Sequence, residues 1–179
     1  MEVRAEKSED VEAIRRVNVA AFGRKSEADL VDRLRGVAST FSFVAVEFEQ
    51  IVGHIFFSPV AIEGECADDS LVLGLAPVAV LPDYQGQGIG SWLIQHGLKE
   101  CARLGFKAVV VLGSPKYYPR FGFIPAKEKR LGCEYPVPDE AFMVLELKKG
   151  VLEGCVGMIK YRSEFNKLEM EKTRASNSR

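Results

Sequence analysis

Gly86, Gly88 and Gly90 alternate with larger residues inside the segment Pro82-Asp83-Tyr84-Gln85-Gly86-Gln87-Gly88-Ile89-Gly90-Ser91. The apolar run Leu71 to Leu81 precedes this turn, and an amphipathic segment follows it. Glycine lets a backbone approach a ligand closely, because no Cβ stands in the way. The first amides of a helix lack internal partners, and together with the helix dipole they favour an anion such as a pyrophosphate. Two familiar phosphate loops do not fit. A P-loop needs Lys followed by Ser or Thr after its last glycine, and Ser91-Trp92 stands there instead. The dinucleotide fingerprint needs glycines at its first, third and sixth positions, whereas these occupy the first, third and fifth.

Other residue types that can do chemistry are sparse. His54 falls in a strand-like segment; it is either a base titrating near neutrality or a structural histidine of the core. Glu27 opens a helical segment, where a carboxylate is favoured by the dipole whether or not it also meets a substrate amine. Cys66, Cys101, Cys133 and Cys155 have no close zinc-ligand spacing, and only two histidines accompany them. They read as reduced thiols, and no metal site is expected. Asp68 and Asp69 read as a solvated turn, and Trp92 and Cys101 as core.

Gln85-Gly86-Gln87-Gly88-Ile89-Gly90 resembles the Gln/Arg-x-x-Gly-x-Gly/Ala signature of the GNAT N-acetyltransferases. Val78-Ala79-Val80-Leu81-Pro82 is similar to the end of that family's fourth strand. Tyr118-Pro119-Arg120-Phe121-Gly122-Phe123 is similar to the Tyr-x-x-x-Gly-Phe element after its fifth. Val52-Gly53-His54-Ile55 and Tyr117 to Phe123 look like the YhbS-type branch, and the resemblance covers roughly residues 1 to 147.

The resemblance implies a mixed α/β layered fold, with splayed fourth and fifth strands (here Leu71–Leu81 and Ala108–Leu112) flanked by helices. It implies acetyl-CoA as donor, with no metal. Backbone groups at Val78, Ala79 and Val80 would meet the pantetheine arm, and Gln85, Gly86, Gln87, Gly88, Ile89, Gly90 and Ser91 the pyrophosphate. Tyr118 would be the general acid, its ordinary pKa of about 10 keeping it protonated at neutral pH; packing against the cofactor is its other reading. The acceptor would be an amine, small molecule or peptide, with a longer acyl donor such as succinyl-CoA also open. A non-catalytic acyl-CoA-binding module on the same fold is the alternative.

The elements that must position these residues follow from periodicity. Val3 to Ala5 reads as a short strand, and Ser8 as the N-cap of a helix through Val11, Ile14, Val17 and Ala21. A second helix is expected over Ser26 to Arg35. Phe41 to Phe48 and Ile51 to Ile62 read as a hairpin, and Glu63 to Ser70 as a turn. Ile89 to Leu104 is the clearest helix, with Gly105 after it. Ala108 to Leu112 is a central strand, Ala141 to Leu147 another and Gly157 to Tyr161 a weaker one.

The chain of 179 residues suits one domain, expected over 1–168, with a frayed polar tail at 169–179. Its net charge of −1 gives no basic surplus for nucleic acid, although a local basic patch is compatible with it. No long apolar run or leader-like segment is present, so no membrane partner and a cytoplasmic location are expected. The C-terminal strand is free to pair between subunits in a homodimer.

Overall fold

A computed structural model describes residues 1–66 and 71–168. Asp68, Asp69 and the expected tail lie outside the described residues. The strands are β1 (Glu2–Ala5), β2 (Phe41–Glu47), β3 (Gln50–Pro59), β4 (Ala61–Glu65), β5 (Val72–Val80), β6 (Ala108–Leu112), β7 (Ile124–Pro125), β8 (Leu131–Cys133), β9 (Phe142–Glu146) and β10 (Val156–Lys160). The helices are α1 (Val11–Phe22), α2 (Ser26–Leu34) and α3 (Ile89–Arg103). Strand order is β1-β2-β3-β5-β6-β9-β7 in one mixed sheet and β4-β10-β8 in a second. This is the mixed α/β fold with flanking helices that the resemblance implies. No helix among the described residues is long and apolar enough to cross a membrane.

Two compact units share the chain. The first comprises Met1–Ser58, Ala76–Gly97 and the segment from Ser163; the second comprises Pro59–Leu75 and Leu98–Arg162. In the first, β1, β2 and β3 pair antiparallel, with Val3 opposite Ala45 and Val44 opposite His54. Strand β3 is buried on both faces, which explains its almost unbroken apolar sequence. Its Gly53 lies against α3, where a Cβ would stand 2.9 Å from Leu93. Gly97 answers from α3, since a Cβ there would press on the Phe57 ring.

Helix α1 ends at Gly23, whose φ of 68° lets its amide reach Val19 O. Arg15 ties α1 to α2 through Asp29 and Asp32, at 2.6 Å each. The entry to α1 differs from expectation. Ser8 opens a short 3-10 turn instead of capping the helix, and Asp10 organises the entry: its carboxylate accepts from the Lys7 amide at 2.7 Å and from Arg4.

In the second unit β5 runs parallel to β6 through Val72–Gly74 and Ala108–Val110, and β6 pairs antiparallel with β9. The expected single strand Ile51–Ile62 is two strands. Pro59 offers no amide hydrogen, Val60 donates instead to Val72 O, and the chain leaves for the second sheet as β4. Thus Glu63, Gly64 and Glu65, read as a turn, belong to a strand. Cys66 and Cys155 form a disulfide across 89 residues, which corrects the expectation of four thiols. Antiparallel pairing of Glu65 with Val156 brings the two cysteines opposite one another. Of the other two, Cys101 is buried, its thiol pushed up to about 12 by burial, and Cys133 is partly buried.

Candidate active site

The glycine-rich turn belongs to the first unit. Strand β5 reaches it with Val78 and Val80 half-buried and Ala79 buried. Pro77, beside them, has no amide hydrogen to give to a sheet. Leu81 donates to Val52 O at 2.9 Å, which anchors the end of β5 on β3. A 3-10 turn over Pro82–Tyr84 follows. The Gln85 side chain donates to Val80 O at 3.0 Å and that of Gln87 to Asp83 O at 3.2 Å, so both amides brace the turn from within.

Gly86 and Gly88 have φ of 74° and 83°, a region that a Cβ makes unfavourable. A Cβ at either would touch nothing within 4 Å, so glycine is required by backbone conformation and the space beside it is open. Gly90 has no positive φ and lies inside α3. Ile89 is buried against β3 at Gly53, and Ser91 is half-buried. The first hydrogen bond of α3 runs from Trp92 N to Gly88 O at 3.0 Å. Amides before Trp92 therefore have no acceptor inside the helix. An exposed turn of positive-φ glycines leading into such a helix end is an arrangement that can hold an anion. Trp92, expected in the core, is 38% exposed at this point.

Tyr118 belongs to the second unit. It opens a short 3-10 turn, Tyr118–Phe121, closed by Gly122 at φ 94°. Its ring meets Tyr117, Phe121 and Phe123 at centroid distances of 5.2, 6.4 and 5.7 Å. Burial, with a smaller contribution from Tyr117, pushes its phenol up to about 12. The proton is thus held well above neutrality, as an acid requires. Gly113, at the end of β6, makes room for that ring, since a Cβ there would collide with it. The sequence signal for Gly113 is a glycine directly after an apolar strand, and only the fold shows what it accommodates. Tyr117 is perpendicular to Tyr118 (88°) and carries Arg120, whose guanidinium carbon sits 4.5 Å from its ring centroid.

His54 and Glu27 have other occupations. His54 is fully buried; Asn18 Nδ2 donates to its Nδ1 at 3.0 Å, so its Nε2 carries the hydrogen toward Ser42 Oγ, also at 3.0 Å. Burial, assisted by Arg35, pulls its pKa down to about 3. A neutral imidazole with both nitrogens engaged is no base for a substrate. Glu27 is 3% exposed and gripped by Arg24, at 2.5 Å from Nη2 and 3.1 Å from Nε. Among the described residues no three His, Cys, Asp or Glu side chains gather as a metal site.

The chain is similar to proteins of known family and structure. Residues 10–123 match the acetyltransferase (GNAT) family. YhbS, an N-acetyltransferase of Escherichia coli K12, is 39% identical over 149 residues, which span 82% of this chain and 87% of YhbS. The crystal structure of E. coli YhbS in complex with CoA superposes with a TM-score of 0.86 at 35% identity, over 92% of this chain and 91% of that one. A GNAT acetyltransferase from Brucella melitensis in complex with acetyl-CoA gives 0.75 at 35% identity, over 92% and 97%. The identity and coverage suffice to assign the chain: it belongs to the GNAT family of acetyltransferases, on the branch that includes YhbS.

Proposed function

We propose that the chain transfers an acetyl group from acetyl-CoA to an amine, by direct attack of the neutral amine on the thioester. The observation that carries this reading is the exposed turn with positive φ at Gly86 and Gly88, leading into the N-terminus of α3. The CoA and acetyl-CoA bound by the two relatives support the same cofactor here. Amides between Gly86 and Ser91 hold the pyrophosphate. Backbone groups of Val78, Ala79 and Val80 pair with the pantetheine arm as an added strand.

Attack of the amine lone pair forms the new C–N bond and a tetrahedral oxyanion. Collapse of the oxyanion breaks the C–S bond, and the Tyr118 phenol gives its proton to the departing thiolate. The ammonium proton leaves through solvent and restores the phenol. Direct transfer needs no cysteine nucleophile. We place the reaction in the cytoplasm, where acetyl-CoA is made available.

Thermal unfolding tests the cofactor. CoA and acetyl-CoA at 100 times their dissociation constants are expected to stabilise the fold by about 2.7 kcal/mol. NAD and ATP at equal concentration are expected to do much less. An unchanged melting temperature at millimolar CoA, in a folded sample, would sink the reading. Thiol release over a panel of amines then identifies the acceptor.

A further inference from the structure

The tip of the β2–β3 hairpin breaks two rules at once. Glu47 pairs with Gln50, so Phe48 and Glu49 form a two-residue loop, and both have positive φ, 47° and 63°. Such a loop favours Asn-Gly, because a Cβ is unfavourable in that region and a bulky side chain most of all. Phe48 is also 92% exposed, with no aromatic partner among the described residues. Neither the turn nor the core accounts for a phenylalanine there. A strained residue that gains nothing within its own chain points to a contact outside it.

Beside this knob lies a hole. A pocket of about 520 Å³ opens between α1 and the start of β3, and Glu49 and Gln50, which follow Phe48, form part of its wall. Ala13, Val17 and Ala20 of α1, Ile51 of β3 and Leu81 supply its apolar surface. An apolar cavity of about 150 Å³ is enough for benzene, so a phenyl ring is easily admitted. Arg4 and Asp10, also in the wall, satisfy one another at 2.6 Å. Glu9, Arg16 and Glu49 are exposed and have no ion-pair partner among the described residues. Knob and hole both belong to the first compact unit.

A knob next to a hole on one surface is self-complementary under a two-fold rotation, the commonest symmetry of soluble oligomers. The rotation that brings Phe48 of one copy to the pocket of the other does the reverse as well. It also carries Glu49, next to the knob, to the rim where Arg16 of the other copy stands. We propose that a second copy of this chain docks here, each Phe48 ring filling the other's pocket and each Glu49 facing the other's Arg16. Strand β10, which already has β4 on one side and β8 on the other, is not needed for this association. Two phenyl rings bury roughly 300–500 Å². That is small for a stable interface, so the dimer is expected to be weak, with a Kd in the micromolar range.

Sedimentation equilibrium of the whole chain, from about 1 μM to about 500 μM, spans that range and provides the test. The parent is expected to pass from monomer to dimer. Phe48→Gly is expected to raise the Kd about 100-fold or more, because one substitution removes two anchors per dimer. Its melting temperature in dilute solution is expected to match or exceed that of the parent, since glycine accepts the positive φ. Arg16→Glu and Glu49→Arg are each expected to weaken association alone. Mixed in equal amounts, those two variants are expected to form a heterodimer with both charge pairs matched, which no contact within one chain would produce. A parent that stays monomeric throughout overturns the proposal and leaves knob and hole to another occupant. Parent-like association of Phe48→Gly, or charge variants that do not associate on mixing, overturns it as well.

Discussion

Tyr118 is suited to giving a proton once and recovering it. Its phenol, pushed up to about 12 by burial, keeps its proton at neutral pH. Removing only that proton, in Tyr118→Phe, keeps the ring and its contacts with Phe121 and Phe123. Turnover is then expected to fall by about 10² to 10⁴, the usual contribution of a general acid, with CoA affinity near the parent value. Gly113 offers a second route to the same place. Its missing Cβ is the space the Tyr118 ring occupies, so Gly113→Ala displaces the phenol without altering its chemistry. We expect kcat to drop by roughly 10-fold or more and KM for acetyl-CoA to change little, since small misplacements of a catalytic group are costly. Unchanged kcat in both variants would remove Tyr118 from the chemistry, with Tyr117 as the next candidate. Single residues of this kind were unevenly legible. Tyr118 could be placed because it stands at a fixed distance from Gly122-Phe123. Gly113 could not be assigned a task, because what it accommodates lies five residues along a turn of irregular geometry.

Elements were legible wherever local chemistry decides them. The φ of Gly86 and Gly88 follows from residue type and turn, and α3 announced itself by its apolar face and Gly105. Elements decided by distant contacts were not. Ile51 to Ile62 reads as one strand because both of its parts are apolar, and only the pairing of β4 with β10 splits it. That same pairing joins Cys66 to Cys155, which are separated by 89 residues and share no spacing motif. His54 is a third case: its place in a strand is compatible with a structural role, but its partners Asn18 and Ser42 come from α1 and β2 and are not read from its neighbours in sequence. The consequence is a pH dependence of stability. Folded, His54 titrates near 3; unfolded, it returns to the ordinary value of about 6.5. Its contribution is fully present above pH 6.5 and is lost as pH falls toward 3, at up to about 1.4 kcal/mol per pH unit. Urea midpoints should reveal a loss of about 2 kcal/mol between pH 7 and pH 5. His54→Gln, which can still accept from Asn18 and donate to Ser42, is expected to flatten that slope. A parent profile that is already flat would mean that the imidazole takes up its proton at the same pH in the folded and unfolded chains.

At the scale of the whole molecule, composition limits the possibilities without naming an acceptor. Net charge and hydropathy describe an ordinary globular chain, and the acetyl acceptor is a property of surfaces that they do not encode. What the chain does reveal at this scale concerns cooperativity. Three elements cross from one compact unit to the other: β3 between Ser58 and Pro59, β5 between Leu75 and Ala76, and α3 between Gly97 and Leu98. Unfolding one unit alone would break two strands and a helix, and each broken end would leave backbone amides and carbonyls without partners. We therefore propose that residues 1–168 behave as one domain and unfold in one transition. The single tryptophan makes this measurable, because Trp92 reports on the first unit, whereas four of the five tyrosines, Tyr117, Tyr118, Tyr135 and Tyr161, belong to the second and Tyr84 to the first. Tryptophan fluorescence, near-ultraviolet signals of the tyrosines and far-ultraviolet circular dichroism are expected to give coincident urea curves, with one midpoint and one slope. If the tryptophan curve separates from the tyrosine curve, the units unfold independently and the single-domain proposal fails. CoA sharpens the comparison: a ligand held by the glycine-rich turn should move every curve together by the same free energy. A shift confined to the tryptophan signal would show that the cofactor stabilises the first unit alone.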